Sequence, residues 1–144
     1  MQSAFTAARM PGTSEHRGSA STYQAGVCNI GPAEIARRRR AGHVGLLVAV
    51  ALLAVLLLIG VRPIVRLLVA LPAAGAASGY LQARLKFCAG FGSRGIFNFG
   101  QIGLTEQVGD PDARARDRAR ARQIGLASLA IGSAVGIAAT LLPR

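Results

Sequence analysis

Between Arg40 and Arg62 the chain carries no Asp, Glu, Lys or Arg for 21 residues, and residues 44–59 of that window are a Val-, Leu- and Ala-rich run. An α-helix rises about 1.5 Å per residue, so about 20 apolar residues cross a hydrocarbon layer of about 30 Å. Four consecutive arginines, Arg37, Arg38, Arg39 and Arg40, end the run on one side. The window predicts a transmembrane helix, and the chain is read first as an integral membrane protein.

Two further blocks extend that reading. Only 17 residues separate Arg66 from Arg84, which is the short limit for a span. Arg66 can snorkel outward, so residues 64–82 serve as a second span. The link Gly60-Val61-Arg62-Pro63 is so short that the two spans form an antiparallel hairpin. Pro72 falls inside the second span and predicts a kink. A third charge-free block of 21 residues lies between Arg122 and Arg144. Asp110-Pro111 before it has the residues of an N-cap and first helical position, so one helix is expected over residues 111–142. The expected fold class is all-α: an integral membrane protein with a helical hairpin, a third transmembrane helix and a disordered N-terminus.

The chain divides accordingly. Residues 1–26 show no periodicity and read as a disordered tail, with Met10 as another candidate start. Residues 27–42 form a basic juxtamembrane segment. Pro32 and Glu34 suit the first turn of a short amphipathic helix over 32–40, and Gly42 allows a bend before the first span. Residues 43–83 are the hairpin. Residues 84–109 are rich in Gly and Phe, and Phe87, Phe91, Phe97 and Phe99 suggest an element at the membrane interface. Residues 110–144 are a basic helix continuing into the third span. The first apolar block begins too far from Met1 for a secretory signal peptide, so the first span is expected to act as an uncleaved signal anchor.

Net charge is +11, from 17 Lys+Arg against 6 Asp+Glu. So basic a balance fits contact with anionic lipid or with nucleic acid. The apolar blocks favour a bilayer with anionic headgroups as partner, with Arg37, Arg38, Arg39, Arg40, Arg118 and Arg122 as the headgroup ligands. Nucleic acid is not expected as a partner. The arginines from Arg114 to Arg122 alternate with other residues and so point to different sides of a helix, and no stacking aromatic is interleaved. Positive charge stays on the cytoplasmic side. With the N-terminus inside, fourteen basic residues lie inside and three outside. The expected location is the inner (plasma) membrane, multi-pass, with a cytoplasmic N-terminus and a C-terminus facing the periplasm or exterior.

Small residues recur every four positions at Ser128, Gly132 and Gly136, and again at Gly75, Gly79 and Ala83. Such stripes let a partner backbone approach closely. They predict either a homo-oligomer or membrane-protein partner, or packing of span two against span three. Gly90-Phe91-Gly92-Ser93-Arg94-Gly95 spells a dinucleotide fingerprint, which needs a strand before it and a helix after it. A membrane helix precedes it here, so a turn is expected instead. Cys28 and Cys88 are too few for a disulfide scaffold. Both are expected on the reducing side and form a possible thiol pair. With His43 they give only three nearby ligands, short of the four a structural zinc site takes, so no metal is expected. No pattern of nucleophile, base or intramembrane carboxylate points to catalysis or ion transport. No enzyme and no cofactor is expected. The function read from the residues is structural, anchoring or assembly-related, with a thiol- or sulfur-linked membrane component using Cys28 and Cys88 as the alternative.

Asn29-Ile30-Gly31, the arginine cluster, a glycine before the first span, the hairpin, Gly79 and Cys88 together resemble the small bacterial two-helix membrane domain often found with rhodanese. The likeness covers residues 28–92. Ala89 stands where that family has Pro, and the third span has no counterpart in it. The chain is also similar to small bacterial inner-membrane proteins bearing Cys-Asn-Ile-Gly, a likeness that implies no activity. The rhodanese-associated resemblance implies a dimerising membrane anchor near sulfur chemistry, with Cys28 and Cys88 as the residues to test.

Overall fold

Proline suits a first helical turn because its missing N–H has no intrahelical partner there. Pro32 opens α1 (Pro32–Leu58), with Glu34 in its first turn. The structure, a computed structural model, describes residues 22–143. α1 runs without interruption through the arginine cluster and the apolar block. The short helix expected over 32–40 and the first span are one helix, unbroken at Gly42. That glycine is buried, and a Cβ there would lie 3.1 Å from the Tyr80 ring, so its small size serves a packing contact.

The chain reverses at Gly60, whose φ of 67° lies in the left-handed region that glycine adopts without penalty. A 3-10 helix (Pro63–Val69) then leads into α2 (Ala70–Arg84). Pro72 falls in the first turn of α2, where the lost N–H costs little. The kink expected inside a span is replaced by a change of helix type ahead of it.

α2 is central, with α1 on one side and the long α4 (Pro111–Thr140) on another. Both contacts depend on small residues. A Cβ on Gly79 would sit 2.5 Å from the Gly42 nitrogen and 2.8 Å from the Arg38 carbonyl oxygen. One on Gly132 would sit 2.6 Å from the Ala70 carbonyl oxygen, and one on Gly136 would sit 2.8 Å from the Ala70 Cβ. The two stripes therefore do not meet each other: Gly79 faces α1, whereas Ser128, Gly132 and Gly136 are on the buried face of α4. Gly75 is exposed, with nothing within 4 Å of a Cβ placed there. α1 follows the column Val69, Ala73, Ala76 and Gly79, and Gly75 lies beyond its edge.

Arg66, expected to snorkel, is fully buried and donates from Nη1 to the Leu142 carbonyl at 2.6 Å. Leu142 lies just past the C-cap of α4, so this guanidinium joins the hairpin to the chain at the C-terminal, negative end of that helix. The three apolar segments, Pro32–Leu58, Pro63–Arg84 and Pro111–Thr140, are long and apolar enough to cross a bilayer.

Opposite the hairpin tip the polar segments form a cap. It contains residues 22–31, α3 (Ala89–Arg94) and two short antiparallel strands, β1 (Ile96–Phe97) and β2 (Glu106–Gln107), a small departure from an all-α fold. The first turns of α4 complete it, with Asp110 as N-cap, accepting from the Asp112 and Ala113 amides at 3.1 and 3.2 Å. Phe87 is fully buried against Ala121 and Ile124 and belongs to this core. Phe97 stacks on Tyr23 with ring centroids 4.9 Å apart. Residues 22–26, placed by the sequence in the tail, form part of a turn closed by bonds between Gln24 and Cys28. The rest of that tail, with Met10, and Arg144 lie outside the described residues.

Gly79→Ala forces α1 and α2 apart and is expected to destabilise by about 1–3 kcal/mol, as overpacking does. Gly75→Ala meets open space and replaces a poor helix former, so it should be neutral or stabilising. Thermal unfolding of the two purified variants checks the contrast; equal losses would contradict this packing.

Candidate functional site

The Cys-Asn-Ile-Gly segment lies at the centre of the cap. Asn29 is fully buried, and its side chain closes a ring with the backbone N–H and C=O of one residue, Cys88. Its Oδ1 accepts the Cys88 amide at 2.7 Å and its Nδ2 donates to the Cys88 carbonyl at 3.1 Å. Its own N–H donates to the Lys86 carbonyl, and its carbonyl accepts the Asn98 amide at 3.0 Å. One residue thus ties three chain segments together. Gly31 follows because a Cβ there would lie 2.8 Å from the Phe99 carbonyl oxygen.

Cys28 and Cys88 are brought to the same layer, and both are buried free thiols. Cys88 is the N-cap of α3, its Sγ accepting the Phe91 amide at 3.4 Å. Cys28 Sγ lies 3.9 Å from the Ile30 carbonyl. The dinucleotide-like glycines belong to α3 and its end: Gly92 is buried beneath Phe87, and Gly95 is the left-handed C-cap. Gln82 bridges helices, accepting the Ala89 amide and donating to Ser78 Oγ at 2.8 Å.

The burial of two carboxylates, Asp117 and Glu34, escaped the sequence reading. Asp117 accepts the Tyr23 hydroxyl at 2.8 Å and the Gly26 amide at 2.7 Å, fastening the 22–26 turn to α4. Burial pushes the Tyr23 phenol well above its usual range, and the Asp117 hydrogen bond and charge push the same way. A raised tyrosine pKa means that this clasp holds below the ordinary value of about 10 and weakens as pH climbs beyond it. Glu34 is buried at 1% exposure with Arg37 and Arg38 each 3.5 Å away. Arg38 also lies over the Phe91 ring, 5.9 Å from its centroid. Of the expected headgroup arginines, Arg38 is therefore turned into the cap, and Arg37 shares Glu34. Arg39, Arg40, Arg118 and Arg122 are exposed.

A second arrangement lies where the cap meets the bundle. Tyr80 Oη and His43 Nδ1 are 2.7 Å apart, and Arg39 and Arg84 line the same recess. Tyr80 also closes one end of an apolar groove of about 270 Å³ between α1 and α4. Its walls are Leu46, Val50 and Leu53 of α1 and Val135 of α4, over Ala73 and Ala77 of α2. Among the described residues, no three His, Cys, Asp or Glu side chains converge as a metal site.

Comparison of the chain with protein-family models, curated proteins and solved structures finds no match.

While the Cys88 carbonyl keeps the Gly92 amide at 2.9 Å, Asn29→Ala strands the buried Cys88 amide, at about 1–3 kcal/mol. It should lower the melting temperature more than any single cysteine substitution. Cys88→Ser should melt at or above the wild-type temperature, because serine is a strong N-cap. Tyr23→Phe should destabilise at neutral pH and lessen the loss of stability above pH of about 10. Melting curves across that pH range check all three.

Proposed function

We propose that this chain is a three-span protein of the bacterial inner membrane with a structural, anchoring or assembly role. The single observation that carries the reading is the combination of three long apolar helices with apolar side chains turned outward along them. Leu47, Leu58, Leu71 and Leu129 are all more than half exposed. The charge distribution favours a cytoplasmic cap and N-terminus, with the hairpin tip and C-terminus outside. Arg39, Arg40, Arg118 and Arg122 then face anionic headgroups from the cytoplasmic side.

A structural role is supported by how the buried polar side chains are used. Asn29, Gln82, Asn98 and Asp117 each satisfy backbone or neighbouring groups within the cap. Their bonds hold segments together and leave these groups engaged. The outward apolar faces leave room for a second copy or a membrane partner. A thiol-linked role remains the alternative, through Cys28 and Cys88.

Two measurements test this. A membrane-impermeant maleimide applied to intact cells should label Gly60→Cys at the hairpin tip and spare Gln101→Cys in the cap; the reverse pattern overturns the orientation. Loss of cellular phenotype should track loss of protein across cap variants such as Asn29→Ala. Normal abundance of Cys28→Ser or Cys88→Ser with the phenotype abolished would put the thiol role first.

A further inference from the structure

The apolar groove and the basic recess share Tyr80 as a common wall. From Tyr80 the groove runs along α2 to Val69, the last residue of the preceding 3-10 helix, about 17 Å at the α-helical rise. That is about half of a hydrocarbon core of about 30 Å, the depth of one leaflet. Its floor is alanine, and its lining side chains are apolar except for Tyr80. At the Tyr80 end, Arg39 and Arg84 are exposed and, among the described residues, have no ion-pair or hydrogen-bond partner. No acidic residue lines either recess. The hydrogen-bonded Tyr80–His43 pair, 2.7 Å apart, adds polar groups at the same mouth.

We propose that these two recesses form one binding site for a single anionic phospholipid of the cytoplasmic leaflet. One acyl chain lies along α2 between α1 and α4, and the phosphate is held by Arg39 and Arg84 beside the His43–Tyr80 pair. The proposal rests on the membrane reading above and adds a defined occupant to it. Charge and length together select a lipid. A neighbouring apolar helix would cover the groove but leave both guanidiniums unmatched, whereas a phospholipid supplies the phosphate and a chain of one-leaflet length in the same molecule. Arginine suits the role because its planar fork pairs two N–H donors with phosphate oxygens. The same guanidiniums would not discriminate for a zwitterionic lipid, whose own cation neutralises its phosphate, so phosphatidylglycerol should be held more tightly than phosphatidylcholine.

The test is native mass spectrometry of the full chain in mild detergent, titrated with phosphatidylglycerol and with phosphatidylcholine. The wild type should retain one phosphatidylglycerol with clear preference. Arg39→Gln combined with Arg84→Gln should weaken that retention about twenty-fivefold, about fivefold for each basic group. Arg62→Gln combined with Arg94→Gln removes the same charge elsewhere and should leave retention within about twofold of wild type. Val50→Trp, on the exposed rim, should block the chain and weaken both lipids. Equal losses in the two double variants, or full retention in Val50→Trp, would overturn the site. Dimers captured in bilayers by a bismaleimide through Val50→Cys would assign the groove to a second copy and overturn it as well. Recovery of the wild type in the soluble fraction would instead defeat the membrane reading itself, so the two failures are distinguishable.

Discussion

A helix that is apolar on all sides is stable only where apolar matter surrounds it. The three long segments have between 17% and 33% of their most apolar windows buried within the chain itself. Fully burying a Leu or Val side chain contributes about 1.5–3 kcal/mol, and here most such side chains have no internal partner. The proposed bilayer supplies that partner. It also removes the usual hydrophobic drive for one helix to seek another, because lipid tails are as apolar as leucine. What remains is close van der Waals fit, and the chain achieves it with glycine and alanine. Gly42 against Gly79, Gly45 against Ala76 and Gly132 against Ala74 bring backbones within reach where larger side chains would hold them apart.

The cap obeys the opposite logic. Its interior contains Asn29, Gln82, Asn98 and Asp117, and its integrity comes from directed hydrogen bonds as much as from Phe87. α4 unites the two regimes. Ala113, Asp117, Ala121, Ile124, Ser128, Gly132, Gly136 and Ala139 form one buried stripe from its first turn to its last. The basic half of that helix binds the cap, and the apolar half binds α2. Arg66 ties the far end of α4 to the hairpin, so the helix is held at both ends.

Much of the helical layout was legible because charge-free windows and end signals are strong. The window after Arg40, the Asp110-Pro111 start and the short turn at Gly60 each correspond to an element boundary or a span. The cap was not legible in the same way. Its contacts join residues far apart in sequence, such as Asn29 with Cys88 and Tyr23 with Asp117, and no local periodicity encodes them. Asp117 interrupts the arginine run in the sequence, yet it lies four residues from Ala113 and from Ala121 on the buried face that lacks arginine. Extending the small-residue stripe toward the N-terminus of α4 would have revealed it. Gly75 shows the converse error: a four-residue spacing marks a helix face but not which neighbour covers it, and α1 passes to one side. The basic recess beside Tyr80 was also hidden, because Arg39, His43 and Arg84 come together only when α1 and α2 pair.

The central claim is that lipid surrounds the three helices. Alkaline carbonate extraction of membranes from cells making the full chain tests it directly. The account predicts that the protein stays in the membrane pellet and is released only by detergent. Release into the carbonate supernatant would contradict it, because a peripheral or water-soluble protein has no buried apolar belt to hold it there.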